Sequence, residues 1–481
     1  MRVVGPATCN DPRHADLESR FADLEKRLVT LVKENAKLSA RVAELEARLK
    51  RDSRNSSRPP SSDPPYRERP SRSKASDRKP GGQPGHEGTT RPTVPPEDVT
   101  EVVVHGVGAC HHCGSTDLEQ TATVVHQVSE IPRVEPMIVE HQVPHVRCRD
   151  CGEESVGELP PEVAGSQFGM RVHAFAAQLM GGFRLTHREV ARVFDEMFGL
   201  QIGVGTLTAI QRRVTSALEF PYREAQRVLR EGPAAYIDET GWRLGRKRAY
   251  LWTAYFGDLV VYLVDRRRDR AASRRLFGGK FHGLRIVDRY AVHDHVKDKL
   301  RQICAAHVFR DFEGFVTGAA GGRMFGRSGK AIVLRLFHAW WRFKDGRIDR
   351  AGLQAACAKL ERRLCDLLDE AKTSRHARVR GFAKKLRKQA ACLFTFAKVE
   401  GIEPTNNAAE RALRAAVLWR KGSFGSHSEL GARFVSRFMT AARSLRMQGR
   451  DVIDFVVAAL EARVLGRAPP SLVPVPAAAA G

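Results

Sequence analysis

Four of the nine cysteines stand in two Cys-x-x-Cys pairs, Cys110-His111-His112-Cys113 and Cys148-Arg149-Asp150-Cys151. Each pair puts two thiolates on one tight turn, and two such turns close the tetrahedral four-sulfur site that structural zinc prefers. Cys110, Cys113, Cys148 and Cys151 are therefore the expected zinc ligands. No thioredoxin-like pattern surrounds either pair, which argues against a redox role. Four unliganded thiols would leave the short segment around them with little to hold it together.

Carboxylates interrupt apolar runs at two further places. Tyr236-Ile237-Asp238-Glu239-Thr240-Gly241-Trp242 ends one strand-like run in two acids, and Leu284-Arg285-Ile286-Val287-Asp288-Arg289-Tyr290 ends another in one. Acids held at the end of a strand are rigid metal ligands. Period-two alternation puts Asp238 and Glu239 on opposite faces, so only one of them can share a site with Asp288, and spacing does not say which. Turn acids that merely cap strands are the competing reading. Glu410, in Asn406-Asn407-Ala408-Ala409-Glu410-Arg411-Ala412-Leu413-Arg414, is a third candidate. There the competitor is specific: Asn407 as N-cap with Glu410 three residues on makes a capping box, and one side chain cannot cap and ligate at once. In the functional reading, Arg411 and Arg414 meet phosphates.

These residues need elements to position them. Short runs of strand character at residues 234–237, 249–256, 259–264 and 284–287, followed by helical sequence over 297–312, predict an α/β sheet. Strand-like runs at 123–128 and 136–146 lie between the cysteine pairs and predict a small metal-stapled β domain. Residues 167–218 turn helical, and a Gly-containing break at 199–205 before a helix starting near Thr206 has helix-turn-helix grammar. From residue 17 to 49, Leu17, Leu24, Leu31, Leu38 and Leu45 alternate with Phe21, Leu28, Asn35, Val42 and Leu49 at heptad spacing. This is a leucine zipper, in which Asn35 pairs best with a second Asn35 and so favours a parallel, in-register dimer. A single helix packed on the protein's own core is the alternative. Residues 51–100 hold ten of the 24 prolines and break every periodicity, as expected of a basic, disordered linker.

The 481 residues leave room for two to four domains, and 80 lysines and arginines against 55 acids give a net charge of +25. Such a surplus implies a polyanionic partner: DNA, RNA or an anionic membrane surface. No stretch of 18 uncharged apolar residues is present to span a bilayer, which excludes an integral membrane protein. The N-terminal residues lack the apolar core of a secretory signal, so a cytoplasmic, reducing location is expected. Residues 321–400 alone carry 20 basic against 7 acidic residues.

Taken together, these motifs resemble the insertion-sequence-66 family of DDE transposases over nearly the whole chain. The resemblance rests on the zipper, Arg54-Asn55-Ser56-Ser57, the Gly-rich run 81–88, and the paired knuckles followed by Gly114 and Gly152. It continues through the DETGW of Asp238 to Trp242, Val287-Asp288-Arg289-Tyr290, the segment 302–312 and the NNxAERALR of Asn406 to Arg414. The family's Cys-Trp-Ala-His is here Cys304-Ala305-Ala306-His307, and its SDRYSAY reads Val287-Asp288-Arg289-Tyr290-Ala291-Val292-His293. All three acidic positions are intact.

The resemblance implies an RNase H-like catalytic fold with Asp238 and Asp288 on adjacent strands, Glu410 on a later helix, and a helical insertion between them. It also implies two Mg²⁺ (or Mn²⁺) ions on those three acids and one structural zinc. Water cleaves the element's end, and the freed 3′ hydroxyl then attacks target DNA. DNA contacts are expected at Arg289, His307, Arg411 and Arg414. The implied partners are double-stranded DNA, a second copy of the chain and accessory proteins of the same element, with no membrane and a cytoplasmic, nucleoid-associated location.

The expected fold class is multidomain α+β, divided as follows: a leucine-zipper coiled coil at 15–50, a disordered linker at 51–100, a zinc-binding β domain at 101–160, and a helix-turn-helix-like domain at 165–230. An RNase H-like catalytic domain then spans 232–465 with a basic all-helical insertion at about 318–400, followed by a disordered tail at 466–481. Two rival functions are a non-catalytic, sequence-specific DNA-binding regulator and an RNase H-like nuclease that cuts without joining.

Overall fold

The computed structural model describes residues 12–49, 52–55, 63, 91–318 and 320–473. The Ser56-Ser57 and 81–88 linker motifs and the last eight residues of the tail lie outside those described, but the start of the expected disordered tail is ordered: Leu472 is buried in the core and Ser471 Oγ donates to Glu224 at 2.8 Å. The heptad segment forms one helix, α1 (Pro12–Leu49). Phe21, Leu24, Leu28, Leu31, Leu38, Val42 and Leu45 are all exposed on it, so the stripe is not packed on the protein's own core. Asn35 Oδ1 accepts a hydrogen bond from Ser39 Oγ at 3.3 Å. The side chain of Leu17 lies outside the described residues.

Between the cysteine pairs the expected run 123–128 forms no strand, and of the run 136–146 only its end, His145 and Val146, does. The one regular pairing around the knuckles is a short antiparallel hairpin that brackets the second, β1 (His145–Arg147) before it with β2 (Glu154–Val156) after it. Residues 123–128 are almost wholly exposed and form no strand ladder; only the side chain of Gln127 reaches across, to the backbone of Val94 at 2.7 and 3.0 Å. Val124, Val125 and Val128 have strand propensity, but propensity acts through a half-buried pleated surface, and no core lies beneath these residues.

After the short α2 (Pro161–Ala164) come α3 (Met170–Gly181), α4 (His187–Phe198), α5 (Val204–Ala217) and α6 (Glu219–Glu231). Helix α4 starts on a full capping box, Thr186 with Glu189, and stops at Gly199 in the left-handed region (φ 64°). These helices, expected as a domain of their own, share one hydrophobic core with the sheet: Leu207, Ile210, Val214 and Leu229 pack with Ile237, Trp252 and Val261.

The sheet has the order β5-β4-β3-β6-β7. Strands β3 (Ala234–Leu244), β4 (Lys247–Phe256) and β5 (Leu259–Asp265) form an antiparallel meander. After α7 (Arg270–Leu276), β6 (Leu284–Val287) and β7 (Arg301–Ile303) add in parallel on the other side of β3. Strand β7 falls where the sequence reads as helix. Three residues are too short for a periodicity, and they form a strand by pairing with β6, while Asp294 and Asp298 neutralise the buried Arg301 at 2.8 and 3.3 Å.

Next come α8 (Ala305–Val316), α9 (Arg323–Lys344), α10 (Arg350–Ala371), α11 (Ala377–Arg387) and the short α12 (Thr395–Lys398). They build a second core on one face of the sheet, where Phe312, Phe315, Leu336 and Phe396 meet Tyr236 and Ile286. Finally α13 (Asn407–Ser423), α14 (Glu429–Met447) and α15 (Val452–Val464) return to the sheet.

The outer edge of β5 is covered in an unusual way. Its backbone N–H groups at Val264, Tyr262 and Val260 donate to Ser436 Oγ, Thr440 Oγ1 and Ser444 Oγ of α14, at 3.0, 2.9 and 3.1 Å. Two strand residues advance about 6.7 Å and four helix residues about 6 Å, so hydroxyls at every fourth helix position match donors at every second strand position. An edge that would recruit another strand is thereby closed.

Candidate active site

Strands β3 and β6 run parallel with Ala234 opposite Leu284, Ala235 opposite Arg285 and Tyr236 opposite Ile286, an offset of 50. Carried two residues further, that offset sets Asp238 level with Asp288, just past the end of β6. Alternate residues of β3 face different cores: Ala235 and Ile237 one way, Ala234, Tyr236, Trp242 and Leu244 the other. Asp238 belongs to the second set. It sits in the gap between the cluster around Tyr236 and the cluster around Trp242.

Helix α13 packs against the Trp242 cluster through Ala412, Leu413 and Ala416. Side-chain bonds tie it down along β3. Asn406 Nδ2 donates to Ile237 O at 2.8 Å, and Arg420 Nη1 donates to Thr240 Oγ1 at 2.9 Å and to Gly241 O at 2.8 Å. From β5, Tyr262 donates its phenol to Ala412 O at 2.6 Å. Trp242 Nε1 donates to Ser426 Oγ just beyond the helix, at 3.2 Å. The Asp238-to-Trp242 motif thus holds both an acid and the contacts that dock the helix carrying Glu410. The competing capping box is absent. Asn406, not Asn407, is the N-cap, its amide is turned to Ile237, and Glu410 lies one position too late to close the box. The Glu410 side chain therefore has no capping role.

Glu410 Oε1 accepts from Arg310 Nη2 at 3.2 Å and lies 3.7 Å from His307 Nε2. Together with Cys304, His307 and Glu410 make the one group among the described residues whose three metal-capable atoms all lie within 4.8 Å of one another. Burial drives the Cys304 thiol up to about 11, and burial with Arg310 and Arg289 nearby drives His307 down to about 3.

Burial first, then the charges of Glu239, Asp288 and Glu410, push Asp238 well above the ordinary carboxylate value. Burial likewise raises Asp288, whose Oδ1 accepts from Tyr290 N at 2.8 Å. Glu239, on the opposite face, is raised to about 7 by burial and by Asp288. It is clamped by Arg268, whose Nη2 and Nε donate to Oε1 at 2.6 and 2.9 Å. Arg268 in turn lies 3.9 Å over the ring of Tyr290. One of the two adjacent acids is thus neutralised by an arginine, while the other faces two more carboxylates. Buried polar atoms without a partner, Thr253 Oγ1 across the strand from Asp238 and Asn406 Oδ1, lie on the elements around them.

A family model for the transposase IS66 family matches residues 165–434, more than half of the chain. The chain belongs to the transposase IS66 family. A second model, a family of unknown function (DUF6444), matches residues 6–92, and no curated protein matches. IS66-family membership puts the protein among enzymes that act on DNA. No described helix is long and apolar enough to cross a membrane.

Within this IS66-family chain the remaining expected site residues fall as follows. Arg411 and Arg414 are exposed on α13. Arg289 is not free for DNA: it pairs with Asp311, bonds Gln389 at 3.4 Å and stacks 4.7 Å over Phe382. His307 is mostly buried against Glu410. The two cysteine knuckles have the same backbone. Gly114 N donates to Cys110 O and Gly152 N to Cys148 O, both at 2.9 Å, with both glycines at positive φ (74° and 77°). Backbone N–H groups of Cys113 and His112 lower the Cys110 thiol, and those of Cys151 and Asp150 lower Cys148. The four sulfurs do not form a single group, and three of the four cysteines are exposed.

Sequence reasoning missed Arg268, Arg310 and Asn406. Arg268 and Arg310 gave no local signal because the acids they meet are 29 and 100 residues away.

Proposed function

We propose that the protein is a transposase that binds the ends of an insertion sequence and joins them to target DNA by in-line phosphoryl transfer at Asp238, Asp288 and Glu410. The observation that carries this reading is the register of β3 and β6, which sets Asp238 level with Asp288 on the face where α13 docks. The sheet order supports an RNase H-like catalytic unit: a three-strand meander with two parallel strands added beyond its first strand.

The donor set fits magnesium or manganese. It is three carboxylates, hard oxygen donors, and Asp238 lies desolvated in the field of the others, so that cations favour full ionisation. Bound there, two such ions would activate the attacking oxygen and stabilise the leaving one. The chain's own residues hold the acids in register and keep Glu239 apart on Arg268. Arg310 holds Glu410 Oε1, and Arg411 and Arg414 lie ready for phosphates beside it. In the first step a water oxygen bonds to phosphorus at the element's end while the bond to the 3′ oxygen breaks, and that oxygen leaves as a 3′ hydroxyl. In the second, this hydroxyl oxygen bonds to a phosphorus of target DNA, and a target 3′ hydroxyl leaves.

Zinc on Cys110, Cys113, Cys148 and Cys151 would join two knuckles that are already built alike. The exposed stripe of α1, with Leu24, Leu31, Asn35, Leu38 and Leu45, suits a parallel dimer that brings two active sites to two DNA ends. The α4–α5 pair, with Gly203, Val204 and Gly205 exposed at the start of α5, suits a helix-turn-helix contact.

The test is to incubate the protein with a duplex carrying the host element's end, with and without Mg²⁺, comparing wild type with Asp238→Asn and Glu239→Gln. Metal-dependent joined product that is lost only in Asp238→Asn is expected. DNA binding that needs no metal and yields no cleavage in any variant would favour the regulator, and cleavage without joining the nuclease.

A further inference from the structure

The basic surplus of the insertion is not evenly spread. All seven acids of residues 321–400 lie at positions 345, 349, 361, 366, 369, 370 and 400, so α9 and α11 contain none. On α11 three of the basic residues are engaged within the chain, Arg378 lying 4.7 Å over the ring of Phe315. Arg380 donates to the carbonyls of Ser374 and Arg375, and Arg387 pairs with Asp369 at 3.0 Å. The exposed positions are 377, 378, 381, 384, 385 and 388. At steps of three and four they make one helical face, occupied by Ala377, Arg378, Gly381, Lys384, Lys385 and Lys388.

Gly381 is the second, independent observation. It sits in mid-helix, and a Cβ built there meets nothing within 4 Å. A mid-helix glycine destabilises a helix relative to alanine, and no packing neighbour among the described residues requires it. A bare backbone in the middle of a basic face is what a polyanion needs to approach the helix closely. The face also leads to the acids: Gln389, just past α11, bonds Arg289, the neighbour of Asp288, and Arg289 stacks on Phe382 of α11.

We propose that the exposed face of α11 is a DNA-backbone cradle, with Lys384, Lys385 and Lys388 on phosphates, Gly381 at the point of closest approach, and the duplex leading from it to Asp238 and Asp288. The inference rests on the DNA-acting reading above and adds which surface holds the duplex. Backbone binding of this kind is sequence-independent and releases counterions.

The test is a salt series of anisotropy titrations with the full-length protein and a labelled duplex of arbitrary sequence. For Lys384→Gln/Lys385→Gln/Lys388→Gln the slope of log K against log salt should fall by about 2.7, at roughly 0.9 for each phosphate no longer neutralised. Gly381→Leu, which has room in the fold, should weaken binding several-fold with an unreduced thermal midpoint. The comparison variant is Arg246→Gln/Lys247→Gln/Arg248→Gln at the exposed β3–β4 turn, an equal change of charge on another surface, which should leave most of the slope. A wild-type slope in the α11 triple variant, or a larger drop in the β3–β4 variant, overturns the assignment. No salt-dependent binding by wild type would instead overturn the DNA reading on which it rests.

Discussion

The cysteine knuckles and the three carboxylates proposed for catalysis are built in opposite ways. Each knuckle is complete within six residues: the same turn, the same positive-φ glycine and the same thiol-lowering amides occur twice. Yet the two are not gathered, because the chain around them is exposed and has only the three-residue hairpin β1–β2 for a scaffold. The acids are the reverse. Nothing local links positions 238, 288 and 410, but each is anchored to elements with a buried core, and the charges of Asp288 and Glu410 reach Asp238, although the three carboxylates do not form one close group either. Short spacing builds half of a site, and a packed core is needed to bring distant halves together. In the knuckle region a metal would have to do the core's work.

The sharpest way to break this comparison is to remove one acid. Asp288→Asn should lower strand transfer by about three orders of magnitude, within the range for loss of a preorganised charge-stabilising group. The thermal midpoint should stay near wild type, since the raised Asp288 gains nothing from its charge in the fold. Strand transfer at the wild-type rate would end the DDE assignment.

The converse experiment is to strip metal from the knuckles. Chelation should expose residues 101–158 to protease while the midpoint of the 170–465 core moves by less than about 2 °C, because no buried residue of that core belongs to the knuckle segment. A large loss of core stability would show the two regions to be coupled.

Next in size is the hydroxyl ladder that closes β5. Thr440→Val removes the acceptor for Tyr262 N, a buried donor, and should cost about 1–3 kcal/mol in urea unfolding. A neutral result would mean that water replaces the hydroxyl and that the edge is not sealed.

The smallest effect is a pH dependence in the helical core. Burial, with Arg213 second, lowers His173 to about 4 from its usual 6.5. Between those values the unfolded chain binds a proton that the folded one refuses. Stability is therefore full above pH 6.5 and falls as pH drops toward 4, by at most about 1.4 kcal/mol per unit. His173→Gln, with an amide able to face Ser166, should reduce the melting curve's pH dependence between 7 and 5 and leave the part that the likewise lowered His293 and His307 contribute. An unchanged dependence would assign the acid sensitivity elsewhere.

Legibility in the sequence followed the range of the interaction. The helix α1 and the strands carrying Asp238 and Asp288 were readable because apolar periodicity is local, and Gly199 marked the end of α4 because only the left-handed region suited that turn. Strand β7 read as helix, since its three residues are a strand only by pairing with β6. The valines at 124, 125 and 128 read as strand and are not, since no partner surface exists there. The cap at Asn406 was displaced by one residue because its amide has a distant partner in Ile237.

Residue types, knuckle spacing, the heptads and the acid-free stretches of the insertion were determined by the sequence alone, because each depends on neighbours within a few turns. The choice of Asp238 over Glu239 as the acid facing Glu410, the pairing of Glu239 with Arg268 and of Glu410 with Arg310, and the sharing of one core by helices and sheet were decided by the tertiary structure. Those depend on which face of β3 meets which helix, and strand register sets the face only once the cores on both sides of the sheet are packed.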